Sequence, residues 1–187
     1  LISLLSILFL RFPEVEGRSM QPFIAQGDHV LINALAYDFR VGALTVPRRA
    51  IQRGDVVAFT RYSNDQARVF LKRVIAVAGD SVRIDKGEVI VNQRHVAYFR
   101  NVVLYRGSME QRVVPARSVF VLGDNLADSD DSRSFGAVPS STVMGKAILI
   151  IWPLGVSDPS NSSLRVSWFP GHMAAGMRAV LDLAKIV

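Results

Sequence analysis

Short apolar runs separated by glycine-containing turns occupy most of the chain. The runs are rich in Val, Ile and Phe, which favour strands, and they cover residues 29–32, 56–59, 69–77, 81–84, 89–91, 119–122 and 147–152. Between them lie dipeptides typical of turns, such as Gly27-Asp28, Gly54-Asp55 and Gly79-Asp80. Strands do not alternate regularly with long helical patterns, so a parallel α/β sheet is disfavoured. The pattern therefore predicts a mainly β protein.

The chain opens with an apolar segment. Its first ten residues, LISLLSILFL, are apolar or serine, and Arg11 follows them. A membrane-spanning helix needs about 20 apolar residues, so this run is about half a span. We expect residues 1–12 to be the outer end of a truncated membrane anchor, with a short buried helix or strand as the alternative. A cleaved signal peptide is disfavoured because no basic segment precedes the run.

The C-terminal part differs in composition from the rest. Residues 154–167 are rich in Pro, Ser and Asn and predict a linker, which ends the main domain of residues 13–153. Beyond the linker, apolar residues recur at helical spacing, so residues 168–187 are predicted to form a helical tail. The residues that carry this periodicity are Met173, Met177, Val180, Leu181 and Ala184.

Composition and charge narrow the chemistry. The chain has no cysteine, which excludes disulfides, thiolate catalysis and cysteine zinc sites. The net charge is +6, and 18 of the 22 basic residues are arginines spread along the sequence. Dispersed charge favours a solvated basic surface over a patch for nucleic acid or anionic lipid headgroups, so charge alone predicts no partner.

Ser19 is the first candidate for chemistry. Gly17 and Pro22 bracket it and would hold it on a turn at the edge of the β domain. A serine hydroxyl is a poor nucleophile until a base accepts its proton. Histidine is the usual base, but the chain has only three histidines, and none lies in a pattern typical of a Ser-His-Asp triad. They are His29, His95 and His172.

Lys72 is the second candidate, because it lies in the apolar run of residues 70–75. Alternate residues of a strand share a face, so Lys72 lies with Phe70 and Val74. Burial disfavours the charged ammonium form and lowers the pKa of the amine, which allows a neutral lysine to act as a general base. The alternatives are that the amine reaches solvent or pairs with a carboxylate.

A third segment, residues 123–136, is dense in hydroxyl and carboxylate groups. A solvated turn is one interpretation and a calcium loop is another, but a calcium loop requires a closing glutamate that is missing here. The remaining interpretation is a polar scaffold that orients a lysine and pairs with arginines.

In this order and spacing, the segments resemble the four sequence boxes of the type I signal peptidases, across residues 15–152. The boxes are Ser19-Met20-Gln21-Pro22 with Gly27-Asp28, Arg53-Gly54-Asp55-Val56-Val57, Lys72-Arg73-Val74-Ile75 with Gly79-Asp80, and Gly123-Asp124-Asn125 to Phe135-Gly136. The resemblance implies an antiparallel β-sheet catalytic domain with a smaller β insertion at about residues 81–118.

The resemblance also implies an activity. The chain would be a membrane-bound serine endopeptidase that removes signal peptides from secretory preproteins after a small-x-small sequence, using a Ser-Lys dyad. Ser19 would attack the scissile carbonyl, Lys72 would accept its proton, and Ser129 would orient the lysine amine. The backbone amide of Ser19 would hold the oxyanion, with Gly17 as the candidate second donor, since the serine found there in some members is absent.

Further roles follow from the same resemblance. The implied structural ion pairs comprise Arg73, Asp124, Asp131 and Arg133, and the implied substrate pocket comprises Val15, Met20, Ile24, Phe70 and Leu71. Each pocket residue is equally explicable as core. Two positions depart from the family pattern, Leu126 in place of an arginine and Phe23 in place of a threonine. No metal or organic cofactor is implied, because the dyad supplies both nucleophile and base.

The resemblance implies a monomer in the plasma membrane, with its catalytic domain on the outer face and the lipid bilayer and preproteins as partners. Two alternatives stay open: an inactive membrane-associated β module, and a self-cleaving Ser-Lys repressor domain of the LexA type, which should carry a helix-turn-helix region. The tail is a separate matter. Its residues 168–174, WFPGHMA, resemble the opening of circularly permuted ribosome-assembly GTPases, which would make the tail a fusion remnant.

Overall fold

A computed structural model describes residues 10–11, 13–37, 39–41, 44–46, 49–63, 66–96, 105–151 and 166–168. Almost all regular structure in these ranges is strand. In chain order the elements are β1 (Leu10–Arg11), β2 (His29–Asn33), β3 (Phe39–Val41), β4 (Leu44–Val46), β5 (Val56–Ser63), β6 (Gln66–Val77), β7 (Ser81–Asp85), β8 (Glu88–Val91), β9 (Arg94–His95), β10 (Met109–Val113), β11 (Ser118–Leu122), α1 (Ser132–Phe135), β12 (Val138–Pro139), a 3₁₀ turn (Ser140–Thr142), β13 (Val143–Ile151) and β14 (Val166–Trp168).

The main sheet is antiparallel throughout the described residues. Its strand order is β1-β2-β13-β5-β6-β11-β12, and β14 also pairs with β13. β5 and β6 form a long hairpin whose register runs from Val56 opposite Arg73 to Ser63 opposite Gln66. β13 lies between β2 and β5, although it comes late in the chain. The sheet therefore joins distant segments of the sequence.

A smaller antiparallel sheet follows β6 in the chain. Its order is β10-β7-β8-β9, and its strands lie between Ser81 and Val113, within the range where the β insertion was expected. β3 and β4 form a separate two-stranded ribbon. The fold is thus mainly β and antiparallel, as predicted.

The predicted strands are confirmed. All seven apolar runs coincide with observed strands, apart from residue 152, which lies outside the described residues. At the chain ends, Leu10 and Arg11 of the predicted anchor pair with β2, and residues 166–168 of the predicted linker and tail pair with β13. Residues 1–9 and 169–187, with the predicted tail helix, lie outside the described residues. Within the described part, no helix is long and apolar enough to cross a membrane.

Three apolar clusters form the core. One joins the small sheet to β6 and β11, and it contains Ile75, Ala76, Val82, Ile84, Val89, Val91, Val114, Phe120, Leu122 and Leu126. A second lies beneath the serine-bearing segment and contains Met20, Ile24, Val30, Ile32, Val56, Ala58, Ala147 and Ile150. A third contains Tyr37, Val57, Phe59, Val74, Val119, Val121 and Val138. Because β5 contributes alternate residues to the last two clusters, both faces of the main sheet are covered.

A buried ionic cluster ties the central strands together around Asp55, which is 5% exposed. Lys146 Nζ of β13 donates to Asp55 Oδ1 at 2.7 Å, and Tyr37 Oη donates to Oδ2 at 2.9 Å. Arg49 and the backbone amide of Gln52 also donate to this carboxylate. Burial favours the neutral acid, but the hydrogen bonds from Lys146 and Gln52 outweigh it and lower the pKa of Asp55. Asp55 therefore links β13 to the turn before β5.

Candidate active site

The serine-bearing segment is a turn that packs on the second core cluster. Met20 is almost fully buried, so it anchors the turn, while Ser19 is half-buried beside it. Gly17 has φ +93°, a left-handed conformation that favours glycine over serine or any other side chain. Asn125 fixes the turn from the other side. Its backbone N–H donates to Ser19 O at 2.9 Å, and its side-chain Nδ2 donates to Arg18 O at 3.2 Å.

Lys72 reaches Ser19 from the middle of β6. Lys72 Nζ donates to Ser19 Oγ at 2.5 Å, across 53 positions of sequence. The lysine is 3% exposed, and its amine lies 5.8 Å from the centre of the Phe70 ring. A hydroxyl oxygen and an amine are therefore hydrogen-bonded, with the lysine side chain buried and the serine half-buried.

Burial lowers the pKa of Lys72, because removing the ammonium ion from water disfavours the charged form. Asp131, Asp130 and Asp124 oppose this effect through their negative charges, and Arg133 assists it. Burial outweighs the carboxylates, so the amine is closer to its neutral, proton-accepting form than a solvated lysine is. The sequence-based expectation of a lowered lysine pKa thus agrees with the geometry.

Arg73, the neighbour of Lys72, forms a two-pronged ion pair with Asp124. Arg73 Nε and Nη2 donate to the two carboxylate oxygens of Asp124, each at 2.7 Å, and Nη1 donates to Gly54 O at 3.2 Å. Both side chains are 3% exposed or less. This pair joins β6 to the start of the loop after β11.

Arg133 and Asp131 form the second pair, inside that same loop. Arg133 Nε and Nη2 donate to Asp131 at 2.8 and 2.9 Å, and Nη2 also donates to Ser129 O at 3.1 Å. Asp131 is fully buried and accepts a further hydrogen bond from Gly123 N at 3.1 Å. It also caps α1 by accepting from the Arg133 amide. The loop backbone is therefore held in one shape beside Lys72.

Ser129 lies against Gly123 within this loop, and its hydroxyl is buried. Among the described residues, Ser129 Oγ has no hydrogen-bond partner, so it does not bond Lys72 in this structure. A buried hydroxyl without a partner is uncommon in proteins.

An open groove of about 870 Å³ runs past Ser19 and Lys72. Four of the five predicted pocket residues line it: Val15, Met20, Phe70 and Leu71. Ile24 does not line the groove. It is fully buried and packs with Met20 in the second cluster, so its surface is used by the core.

Three contributors to the site were not identified from the sequence. Asn125 holds the serine turn, Asp130 raises the pKa of Lys72, and Gly123 lies where the turn and the loop touch. A Cβ built on Gly123 would lie 2.5 Å from Ser19 O and 2.6 Å from Ser129 Cβ. Gly123 and Asn125 belong to a box noted in the sequence, but their contacts depend on residues more than a hundred positions away.

Neither of the two described histidines enters the site. His95 lies on the small sheet, 2.9 Å from Glu88, and His29 lies on β2, whereas His172 is outside the described residues. Within the described part, no three His, Asp or Glu residues are grouped so that they could hold a metal ion.

Comparisons with known proteins show what the whole chain is similar to. The profile of the signal peptidase family, peptidase S26, matches residues 1–152. The signal peptidase I of Leptolyngbya laminosa is 30% identical over 148 residues, which cover 75% of this chain and 68% of the relative. The signal peptidase I of Pseudomonas aeruginosa is 29% identical over 195 residues, which cover 81% of this chain and 67% of the relative.

Among solved structures, a signal peptidase I from Enterococcus faecalis V583 is 30% identical, with a TM-score of 0.43, and the match covers 52% of this chain and 97% of that one. The family match, which spans most of the sequence, places the chain: it belongs to the signal peptidase family, peptidase S26.

Proposed function

We propose that Ser19 and Lys72 carry out the hydrolysis by which this chain, a signal peptidase, removes signal peptides from preproteins. The observation that carries the proposal is the 2.5 Å hydrogen bond between Lys72 Nζ and Ser19 Oγ, formed where the lysine is buried. A nucleophile and base within hydrogen-bond reach are what covalent acyl transfer requires.

In the first half of the reaction, Ser19 Oγ attacks the carbonyl carbon of the scissile peptide bond. Neutral Lys72 accepts the hydroxyl proton, and the resulting ammonium then donates that proton to the departing amine, which is the new N-terminus of the mature protein. The signal peptide remains esterified to Ser19. Lys72, neutral again, takes a proton from a water molecule that attacks the ester. The bond between the carbonyl carbon and Ser19 Oγ then breaks, Oγ regains that proton from the Lys72 ammonium, and the signal peptide leaves as a carboxylic acid that ionises in solution.

Backbone amides would stabilise the oxyanion of each tetrahedral intermediate. Among the described residues, the amides of Ser19 and Gly17 donate no backbone hydrogen bond, so both remain available. Because Gly17 offers no hydroxyl and lies in a left-handed conformation, we assign the second donor at this position to the backbone. One such donor contributes about 10²–10³-fold to the rate in serine proteases.

The groove supports an extended, apolar signal-peptide end as substrate. Val15, Met20, Phe70 and Leu71 offer aliphatic and aromatic surface next to Ser19, with no cationic side chain among the four. Shallow apolar pockets accept small side chains, which fits cleavage after a small-x-small sequence. Lys72 also lines the groove, so the base faces the bound peptide.

Ser129 and the ion pairs would support the dyad without touching substrate. The orphan hydroxyl of Ser129 lies in the loop whose carboxylates act on Lys72, so it is suited to orient the amine once the ammonium forms. The pairs Arg73–Asp124 and Arg133–Asp131 would fix that loop. We further propose a monomer attached to the plasma membrane through the apolar segment at residues 1–12, with the catalytic domain on the outer face.

The test is cleavage of a preprotein with an Ala-x-Ala site by the full chain in uncharged detergent. Ser19→Ala and Lys72→Ala should each abolish cleavage, whereas Ser134→Ala and Lys86→Ala, which remove exposed serine and lysine side chains, should retain it. Each variant must melt within a few degrees of the parent. Cleavage surviving Lys72→Ala would overturn the base assignment, an inert parent would favour the inactive module, and self-cleavage without substrate would favour a repressor-type protease.

A further inference from the structure

A second cavity, of about 470 Å³, lies between the main sheet and the small sheet. Its volume falls in the range of small-molecule sites, about 300–1,000 Å³. Its lining contains neither Ser19 nor Lys72. The basic residues that line it are Arg53, Arg73, Arg94 and His95, and no carboxylate residue lines it. The cavity therefore presents cationic groups to whatever enters.

The three arginines that line the cavity differ in their partners. Arg53 pairs with Asp80 through Nε at 2.7 Å, and Arg73 pairs with Asp124. Arg94 has no ion pair with any described residue and is exposed. Two of the three arginines are thus paired with carboxylates that do not line the cavity, and the guanidinium of Arg94 has no carboxylate partner among the described residues.

The position of Arg94 is fixed by a tight turn. Asn92 and Gln93 connect β8 to β9 with φ +48° and +66°, a left-handed conformation at two successive non-glycine residues. Asn92 is held in place because its side chain donates to Asp80 at 2.9 Å and accepts from the Ser81 amide at 2.9 Å. The backbone of Arg94 is therefore set before any ligand arrives, and the same carboxylate of Asp80 holds Arg53.

Hydrogen-bond donors remain free on two of the lining residues. Arg53 uses Nε and Nη2 for Asp80, which leaves Nη1. No described residue pairs with the guanidinium of Arg94. Planar guanidinium groups match the oxygens of a phosphate group closely. Val91 and Val96 add apolar wall for the carbon chain of an ester.

We propose that this cavity binds a phosphodiester group, whose anionic oxygens would accept hydrogen bonds from the guanidinium groups of Arg94 and Arg53. Two sources offer this chemistry: the headgroup of an anionic phospholipid and a soluble phosphodiester. The site lies outside the peptidase groove, so the proposal does not depend on the dyad.

The test measures binding of glycerophosphoglycerol to the full chain in uncharged detergent, by calorimetry and by amide chemical shifts. Arg94→Gln should weaken binding about tenfold, because one charge-assisted contact is lost. Arg112→Gln removes an exposed arginine from the far edge strand of the same small sheet and serves as the matched control. It should change affinity by less than twofold, and the shifts should centre on residues 91–96.

A second measurement identifies the source, using nanodiscs of phosphatidylcholine with and without phosphatidylglycerol. Both proteins must give the amide spectrum of a folded domain. If phosphatidylglycerol perturbs residues 91–96 in the parent and not in Arg94→Gln, the ligand is the lipid headgroup. If only glycerophosphoglycerol does so, the ligand is a soluble ester. No saturable binding of either probe, or equal loss in Arg94→Gln and Arg112→Gln, would overturn the site.

Discussion

Replacing Gly123 by alanine tests whether the contact between the serine turn and the loop after β11 sets the geometry of catalysis. The added Cβ would lie 2.5 Å from Ser19 O, where ordinary van der Waals contact begins at 3.4 Å, so the two segments must separate by about 0.9 Å. Ser19 O is a backbone atom, so it cannot move away by a change of side-chain rotamer, and the backbone amide of Asn125 holds it by a 2.9 Å hydrogen bond.

A shift of this size acts on the nucleophile itself. Displacements of about 1 Å near reacting groups cost about 100-fold in rate, which corresponds to about 2.7 kcal/mol of transition-state stabilisation. We therefore expect Gly123→Ala to lower kcat about 100-fold with a smaller effect on KM, since Phe70 and Leu71 of the groove lie on β6 and not on the displaced turn. Steady-state cleavage of an Ala-x-Ala preprotein measures both constants.

The control is Gly136→Ala. Gly136 has φ +83° but nothing within 4 Å of an added Cβ, so alanine there strains the backbone without meeting a neighbour. It should lose about 1 kcal/mol of stability and keep its activity. If Gly123→Ala retained kcat within threefold of the parent, the contact would not position Ser19 and the reasoning would be wrong.

Three further predictions concern the charged groups. Lys72 must be neutral to act as a base, so kcat/KM should rise as the pH passes through the lowered pKa of Lys72. Asp130→Asn removes a negative charge that raises this pKa, so it should move the rise in kcat/KM to lower pH. A move of the rise to higher pH would contradict the role of Lys72 as the base. Asp124→Asn leaves Arg73 buried without its carboxylate and should cost about 3–5 kcal/mol in urea unfolding, whereas a loss under 1 kcal/mol would show the pair to be dispensable. Folding lowers the pKa of Asp55, so the ionised carboxylate stabilises the protein above about pH 4, and this stabilisation is lost as the pH falls through the pKa of Asp55 in the folded protein. The difference in melting temperature between the parent and Asp55→Asn should therefore shrink in acid. A difference that stays constant with pH would argue against an ionised Asp55.

The strands could be predicted from the sequence where alternate side chains are apolar and buried, or where all side chains are. β2 and β7 show the alternating burial that the sequence pattern indicates, and β6 is buried on both faces around Lys72. β10 escaped prediction because its sequence, MEQRV, is largely exposed, with little apolar signal. Two- and three-residue strands such as β9 also lack enough residues to show a period.

The polar contacts could not be predicted in the same way, because they join residues far apart in sequence. Lys146 is 91 positions from Asp55, and Asn125 is 107 positions from Arg18, so no local pattern reports either contact. The resemblance to the type I signal peptidases suggested that Ser19 pairs with Lys72, whereas composition alone did not suggest it. Ile24 shows the opposite limit, since an apolar residue near the nucleophile is as consistent with core as with a pocket, and here it lies in the core.

The late position of β13 in the chain has a consequence for the timing of biosynthesis. Among the described strands, β2, which follows the serine turn, joins β5 and β6 only through β13, and Asn125 holds the turn. When the residues up to 122 have left the ribosome, Ser19 and Lys72 have both been made, but the sheet still lacks the strand that connects their segments. We therefore expect the proposed Ser19–Lys72 pair to form only after β13 has been synthesised, so that a nascent chain without β13 has no peptidase activity.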